Sequence, residues 1–244
     1  MKTLIAFWNI LKKDINNYYL KPPNISWGII LPLSWALMQL IRSSGNIEII
    51  ELLPGLMAMS ILFGTTSMLA VTITFERRGH SFDRLLLAPI GLGTLVFAKL
   101  SGAIMFGMVN AFVPVVFAAF LTDLGGINWP IIIITVFLIA LTSALIGLFI
   151  AVSAKEVFEA QTFSNFFRFP MLFLCGLFIP IAELPGVVKP LSFALPLTYG
   201  TDILNGMITG SSIFSTVSNI LIMIAFAAAL FYLCLRNISK KWIL

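Results

Sequence analysis

The 244-residue chain is 59% hydrophobic and only 10% charged, with a mean hydropathy of +1.04, whereas a soluble domain carries about 25% charged residues. A soluble fold with a polar shell is excluded, and a polytopic helical membrane protein with no separate soluble domain is expected. The formal charge of +5 is assigned to topology and anionic lipid headgroups rather than to nucleic acid.

Residues 2–20 read as an amphipathic interfacial helix. Leu4, Trp8, Leu11, Ile15 and Tyr18 recur every three or four residues on one face, and Lys2, Asn9, Lys13, Asn16 and Asn17 fall mostly elsewhere, a pattern suited to the headgroup plane. A solvated N-terminal helix is the ordinary alternative. Met1-Lys2 leads straight into this segment, so no cleavable signal is expected. Pro22-Pro23 end it.

Six windows of about 20 apolar residues follow. They lie near 25–41, 52–75, 92–121, 130–153, 163–179 and 213–235. The fold class expected is therefore all-α integral membrane, with six spans in one domain over 1–244. Within it, 1–23 is the interfacial helix, 24–179 holds spans one to five, 180–210 is an outer segment, and 211–244 is span six and a cytoplasmic tail. In the fourth span Ser143, Gly147 and Ala151 repeat every four residues, a small-residue face that lets helices approach.

The densest charge cluster, 76–90, separates the second and third spans. It carries three arginines, two acids and the only histidine, His80, and each charge would cost about 2.5–3.5 kcal/mol at the bilayer centre. It must face water or a partner. Eleven Lys and Arg residues fall on its side of the membrane, against Arg42 and Lys189 opposite, with Lys99 and Arg168 inside predicted segments. This asymmetry places both termini in the cytoplasm of a multi-pass cell-membrane protein.

The 180–210 stretch is too apolar for a free loop, and prolines 180, 185, 190 and 196 forbid one long helix. Short helices dipping into the outer leaflet as a re-entrant hairpin fit it. A plain extracellular loop is the alternative.

Several chemistries are missing. All ten acids lie in predicted loops or at segment ends, which argues against proton coupling, while sodium coupling through carbonyls stays open. There is no P-loop, no assembled Ser/His/Asp set, and no zinc-type cluster around the lone histidine. Cys175 and Cys234 are expected at opposite faces, so no internal disulfide is expected.

Cys175-Gly176-Leu177-Phe178-Ile179-Pro180, then Leu184-Pro185, then Leu195-Pro196-Leu197-Thr198-Tyr199 resemble the C-terminal signature of type-2 ABC transporter permeases. That family includes daunorubicin-resistance-type drug exporters and polysaccharide or lipo-oligosaccharide exporters. The 76–89 segment is similar to its cytoplasmic stretch after the second span. The resemblance implies a non-catalytic permease working by alternating access. Its partners would be a second permease copy or paralogue, two copies of a separate P-loop ATPase that hold the ATP and magnesium, and membrane lipids. The chain itself would bind no cofactor. A stand-alone secondary transporter or channel, or a structural assembly protein, are the alternatives.

On this resemblance the coupling residues are Glu76, Arg78, Gly79, Ser81, Phe82, Asp83, Arg84, Leu85, Leu86 and Pro89. Ser81 would cap a short helix over 81–87, Phe82, Leu85 and Leu86 would form its apolar edge, and Pro89 would end it. A loop that only sets topology is the alternative. Pathway candidates are Thr65, Thr66, Phe163, Phe166, Phe167 and Arg168. The threonines offer hydrogen bonds to cargo or simply back-bond in their helix. The phenylalanines offer an aromatic wall or simply pack. Arg168 either captures an anionic cargo or snorkels to headgroups. The outer gate would comprise Gly176, Pro180, Glu183, Pro185, Pro196 and Tyr199.

Overall fold

The computed structural model describes residues 2–21, 25–42, 48–88 and 90–241. Pro22, Pro23 and Pro89, expected to end helices, lie outside these residues, as do the side chains of Asp83 and Leu86.

Every regular element among the described residues is helical. Helix α1 (Lys2–Asp14) runs on as a π-helical turn, Ile15–Tyr19. A second π-helical turn, Ser26–Ile30, leads into α2 (Leu31–Arg42). Then come α3 (Ile49–Arg78), α4 (Ser81–Leu87), α5 (Leu92–Ala119) and α6 (Trp129–Ser153). After α7 (Val157–Leu174) the chain forms a short turn at Ile181–Glu183, then α8 (Lys189–Phe193), α9 (Pro196–Ile208) and α10 (Thr216–Lys241).

Four of the described helices are long and apolar enough to cross a membrane: α3, α5, α6 and, over Thr216–Ile238, α10. The expected first and fifth spans differ. The first is a five-residue π turn followed by a twelve-residue helix. The fifth begins six residues earlier than expected, at Val157, and Glu159, Gln161, Asn165 and Arg168 lower its hydropathy. It stops at Leu174 because Gly176 turns the chain with a φ of 77°, a conformation glycine adopts without a Cβ clash.

Helix α3 is the axis of the bundle. It packs against α5, α6, α7 and α9 and is apolar all round, as a fully surrounded helix must be. Close approach to α6 depends on Gly147, where a Cβ would stand 2.5 Å from the Thr66 carbonyl oxygen. Helix α10 covers the opposite side of α6.

Helix α1 departs from the single lipid-facing stripe. Ile10 and Leu11 are buried, α1 packs on α5, and Leu4, Ile5 and Trp8 stay exposed. The reason is tertiary: α5 supplies an apolar wall and a buried counter-charge for Asp14. Beyond α7, the prolines break the chain into short pieces. Helix α9 is nevertheless buried, inserted against α3, α6 and α10.

Candidate functional site

Two regions gather the sequence-predicted residues. The first is the junction of α3, α4 and α5. Glu76, in the last turn of α3, points inward and not towards a partner. Its Oε2 accepts from Lys99 Nζ at 2.6 Å and its Oε1 from Lys13 Nζ at 2.5 Å. Lys99, only 1% exposed, also donates to Asp14 Oδ1 at 2.9 Å. Two cations and two carboxylates thus neutralise one another, with Lys99, Asp14 and Glu76 shut away from water and Lys13 partly exposed at the edge; such pairing is the condition under which buried ions are tolerated. Burial pushes the Asp14 carboxyl above its ordinary 3.8, and the positive charge of Lys99 opposes that rise.

The next residue ties the junction to a third helix, because the Arg77 guanidinium donates to the Ala151 and Ala154 carbonyls at 3.3 and 3.4 Å. Arg78 and Gly79 are exposed. His80 takes a left-handed φ of 54° and starts α4. Ser81 therefore does not cap the helix as expected. It is the first helical residue, and its hydroxyl donates back to the Glu76 carbonyl at 3.1 Å.

Phe82 is also a correction, since it is 2% exposed and joins the chain's own core. Leu85 packs half-buried beside that core. Arg84 and Leu87 are the exposed side chains described on α4.

The second region is a groove of about 960 Å³ between α2 with its leading turn, α3 and α7. Trp27 stacks on Phe63, with centroids 6.5 Å apart and planes 13° apart. Trp35 meets Phe178 at 4.7 Å, and Phe173 meets the same ring at 5.7 Å. Phe169 and Phe173 line the groove. Phe163 and Phe166 point outward and Phe167 is half-buried; none of the three lines it.

Thr65 and Thr66 are fully buried and turn away from the groove. Thr65 Oγ1 back-bonds to Ile61 at 2.7 Å, its methyl meets Gly107, and Thr66 packs on Gly147. They serve helix packing. Arg168, 3% exposed, does not snorkel. Its guanidinium lies 4.5 Å from the Phe63 ring centroid, and Nη2 donates to Asn165 Oδ1 at 2.6 Å.

Trp27, Trp35 and Phe63 were missing from the expected pathway set. The available signal was the spacing Trp27, Leu31, Trp35, Met38, Arg42, one helical face that the structure turns into the groove.

A smaller cavity of about 490 Å³ adjoins the groove, sharing Trp35, Gln39 and Phe178 with it and reaching Gly176 and Pro180. Of the other expected gate residues, Glu183 and Pro185 are exposed, and Pro196 and Tyr199 are buried. Tyr199 donates to the Phe193 carbonyl at 2.8 Å. Asp202, expected in an external loop, is buried. It accepts from the Ile213 and Phe214 amides at 2.7 and 3.0 Å and from Asn219 Nδ2 at 2.7 Å, anchoring the start of α10. Cys175 and Cys234 are both buried and free.

The profile of a family described as ABC-2 type transporter matches residues 5–209. Inner membrane transport permease YadH of Escherichia coli (strain K12) is 21% identical over 189 residues, 78% of this chain and 74% of YadH. ABC transporter permease protein NatB of Bacillus subtilis (strain 168) is 24% identical over 255 residues, 96% of this chain and 64% of NatB. Nodulation protein J of Rhizobium meliloti (strain 1021) is 26% identical over 209 residues, 82% of this chain and 77% of that protein.

Proposed function

The chain belongs to the ABC-2 type transporter family, and on that premise we propose that it is the six-span permease of an ATP-driven exporter in the cell membrane. It forms a transport pathway and hydrolyses no ATP itself. ATP and magnesium are held by two copies of a separate P-loop ATPase, and a second permease copy or paralogue completes the assembly. Helices α2 and α7, extended by their flanking residues, serve as spans one and five. Both termini lie on the cytoplasmic side, following the basic-residue asymmetry.

The observation that carries this reading is the placement of α4. It directly links two membrane-length helices, α3 and α5. The Glu76–Lys99–Asp14 bracket and the Arg77 bonds to the end of α6 restrain its base. Arg84 and Leu87 face outward, with Arg78 and Gly79 exposed beside them. A short helix on a rigid base converts a push from an ATPase into movement of both spans. The groove between α2, α3 and α7 serves as this subunit's share of the pathway. The segment with Gly176, Pro180, Glu183, Pro185, Pro196 and Tyr199 forms a re-entrant outer gate.

The test is purification from native membranes followed by identification of co-purifying chains. A P-loop ATPase retained by the wild type, and lost on Arg84→Glu with Leu87→Ala, is the expected result. Stoichiometric purification without any ATPase would favour a stand-alone transporter or channel instead.

A further inference from the structure

The turn Ser26–Ile30, α3 and α5 meet at one side chain. Asn110 of α5 is 2% exposed. A Cβ on Gly28 would stand 2.7 Å from Asn110 Nδ2, and one on Gly64 of α3 would stand 2.5 Å from it. The amide is thus wedged between two backbones that carry no side chain at the contact. Among the described residues Nδ2 nevertheless has no hydrogen-bond partner. A buried donor left unmade carries its full desolvation penalty, whereas an apolar group of the same shape would carry none. Such a donor calls for a physical reason. Ser60, Thr66 and Ser67 of α3 are also buried without partners, but a hydroxyl can rotate towards the carbonyls of its own helix. The Asn110 amide is held in place by both glycine contacts.

The second observation is the backbone beside it. Gly28 is the middle residue of a π-helical turn, and Ile25 and Leu31 on either side have ordinary α-helical angles. A wide turn, bonded from i to i+5, therefore interrupts a path that is α-helical before and after it. Tightening that turn by one residue would re-register the helix beyond it by about 100°, at 3.6 residues per turn. Because Gly28 has no Cβ, its backbone can slide across the amide. The carbonyls of the turn are the acceptors that this movement carries past Nδ2.

We propose that Asn110 is the pivot of the first span. Its amide is unpaired in the described state because it binds a carbonyl of the 26–30 turn in a second state, reached when the π turn tightens to α and α2 rolls about its axis. The orphaned donor raises the first state and the new bond lowers the second, which brings the two close enough for both to be populated. Asn110 is a positioning residue and touches no cargo. The roll draws Trp35 away from Phe178, which it now meets at 4.7 Å, and so reshapes the wall of the groove. The inference rests on the permease reading and supplies a part of it that moves.

Spin labels on Leu37→Cys of α2 and Val116→Cys of α5, both at exposed positions, follow the roll. The background is Cys175→Ala, Cys234→Ala, and distances are measured by pulsed electron spin resonance on protein purified from native membranes. The chain with Asn110 intact should give two distance populations. Asn110→Leu and Asn110→Ala, which lack the donor, should cut the minor population about tenfold, the worth of one hydrogen bond. Asn110→Gln, which keeps the donor, should retain it. Gly28→Ala should act in the opposite sense and enlarge the second population, because its methyl meets Nδ2 only in the described state.

A single population with Asn110 intact, or an unchanged ratio in both Asn110→Leu and Asn110→Ala, would overturn the proposal. A Tm lowered in both variants with that ratio unchanged would make Asn110 a packing residue only. An unshifted ratio in Gly28→Ala would remove the turn from the mechanism. Co-purifying ATPase is identified separately: its absence would count against the permease reading, while the distance populations still decide the pivot.

Discussion

Lys99 Nζ on α5 lies 2.6 Å from Glu76 Oε2 on α3, and the same ammonium holds Asp14 of α1. One cation therefore joins three elements at the base of α4. Among the described residues, Lys99→Met leaves Glu76 and Asp14 with the half-exposed Lys13 as their cation, and the expected loss is about 3–5 kcal/mol. The triple variant Lys99→Met, Glu76→Gln, Asp14→Asn removes the charges together and should recover most of it. Thermal unfolding in detergent compares the two.

The same junction predicts a pH response. In Lys99→Met the charge that opposes the rise of Asp14 is gone, so its folded-state value climbs further above the ordinary 3.8. An acid whose value is raised by folding binds more protons folded than unfolded. Stability is therefore regained as pH falls through the raised value, and the gain is complete below about 3.8. The Tm gap between wild type and Lys99→Met should narrow on acidification. A gap that is constant with pH would mean that lost packing, not charge, explains the defect.

On α4 the buried and exposed residues should separate two effects. Phe82→Ala empties a core position and should cost about 3–5 kcal/mol of stability. Leu87→Ala, at an 87% exposed position, should leave stability within about 0.5 kcal/mol and weaken ATPase association roughly tenfold. Tm and co-purification yield, measured on both variants, give the comparison. Leu87→Ala with full ATPase retention would remove that residue from the docking surface.

Asp202 supports three donors at the start of α10. Asp202→Ala leaves buried donors unpaired and should cost roughly 2–3 kcal/mol. The effect should appear as faster amide exchange at Ile213 and Phe214, and Asp202→Asn, which keeps one acceptor oxygen, should lose less.

Composition and local pattern determined the membrane class, the helical fold and the breakage of 180–210 into short pieces. The short helix over 81–87 was also legible, and it is found as Ser81–Leu87. These features depend on properties each segment carries by itself: hydropathy over a span's length, the fixed φ of proline, the cost of charge in hydrocarbon.

Tertiary structure alone decided which side chains meet. Asp14 and Lys99 are 85 residues apart, and in sequence Asp14 reads as one more cytoplasmic acid. Phe82 looks like an exposed anchor until the bundle covers it. Thr65 and Thr66 look like cargo ligands until Gly107 and Gly147 approach them. The groove required α2, α3 and α7 to be placed together before Trp27, Trp35 and Phe63 could be seen to line one site. Helical periodicity shows which residues share a face, and the neighbour that covers a face is chosen by packing between segments distant in the chain.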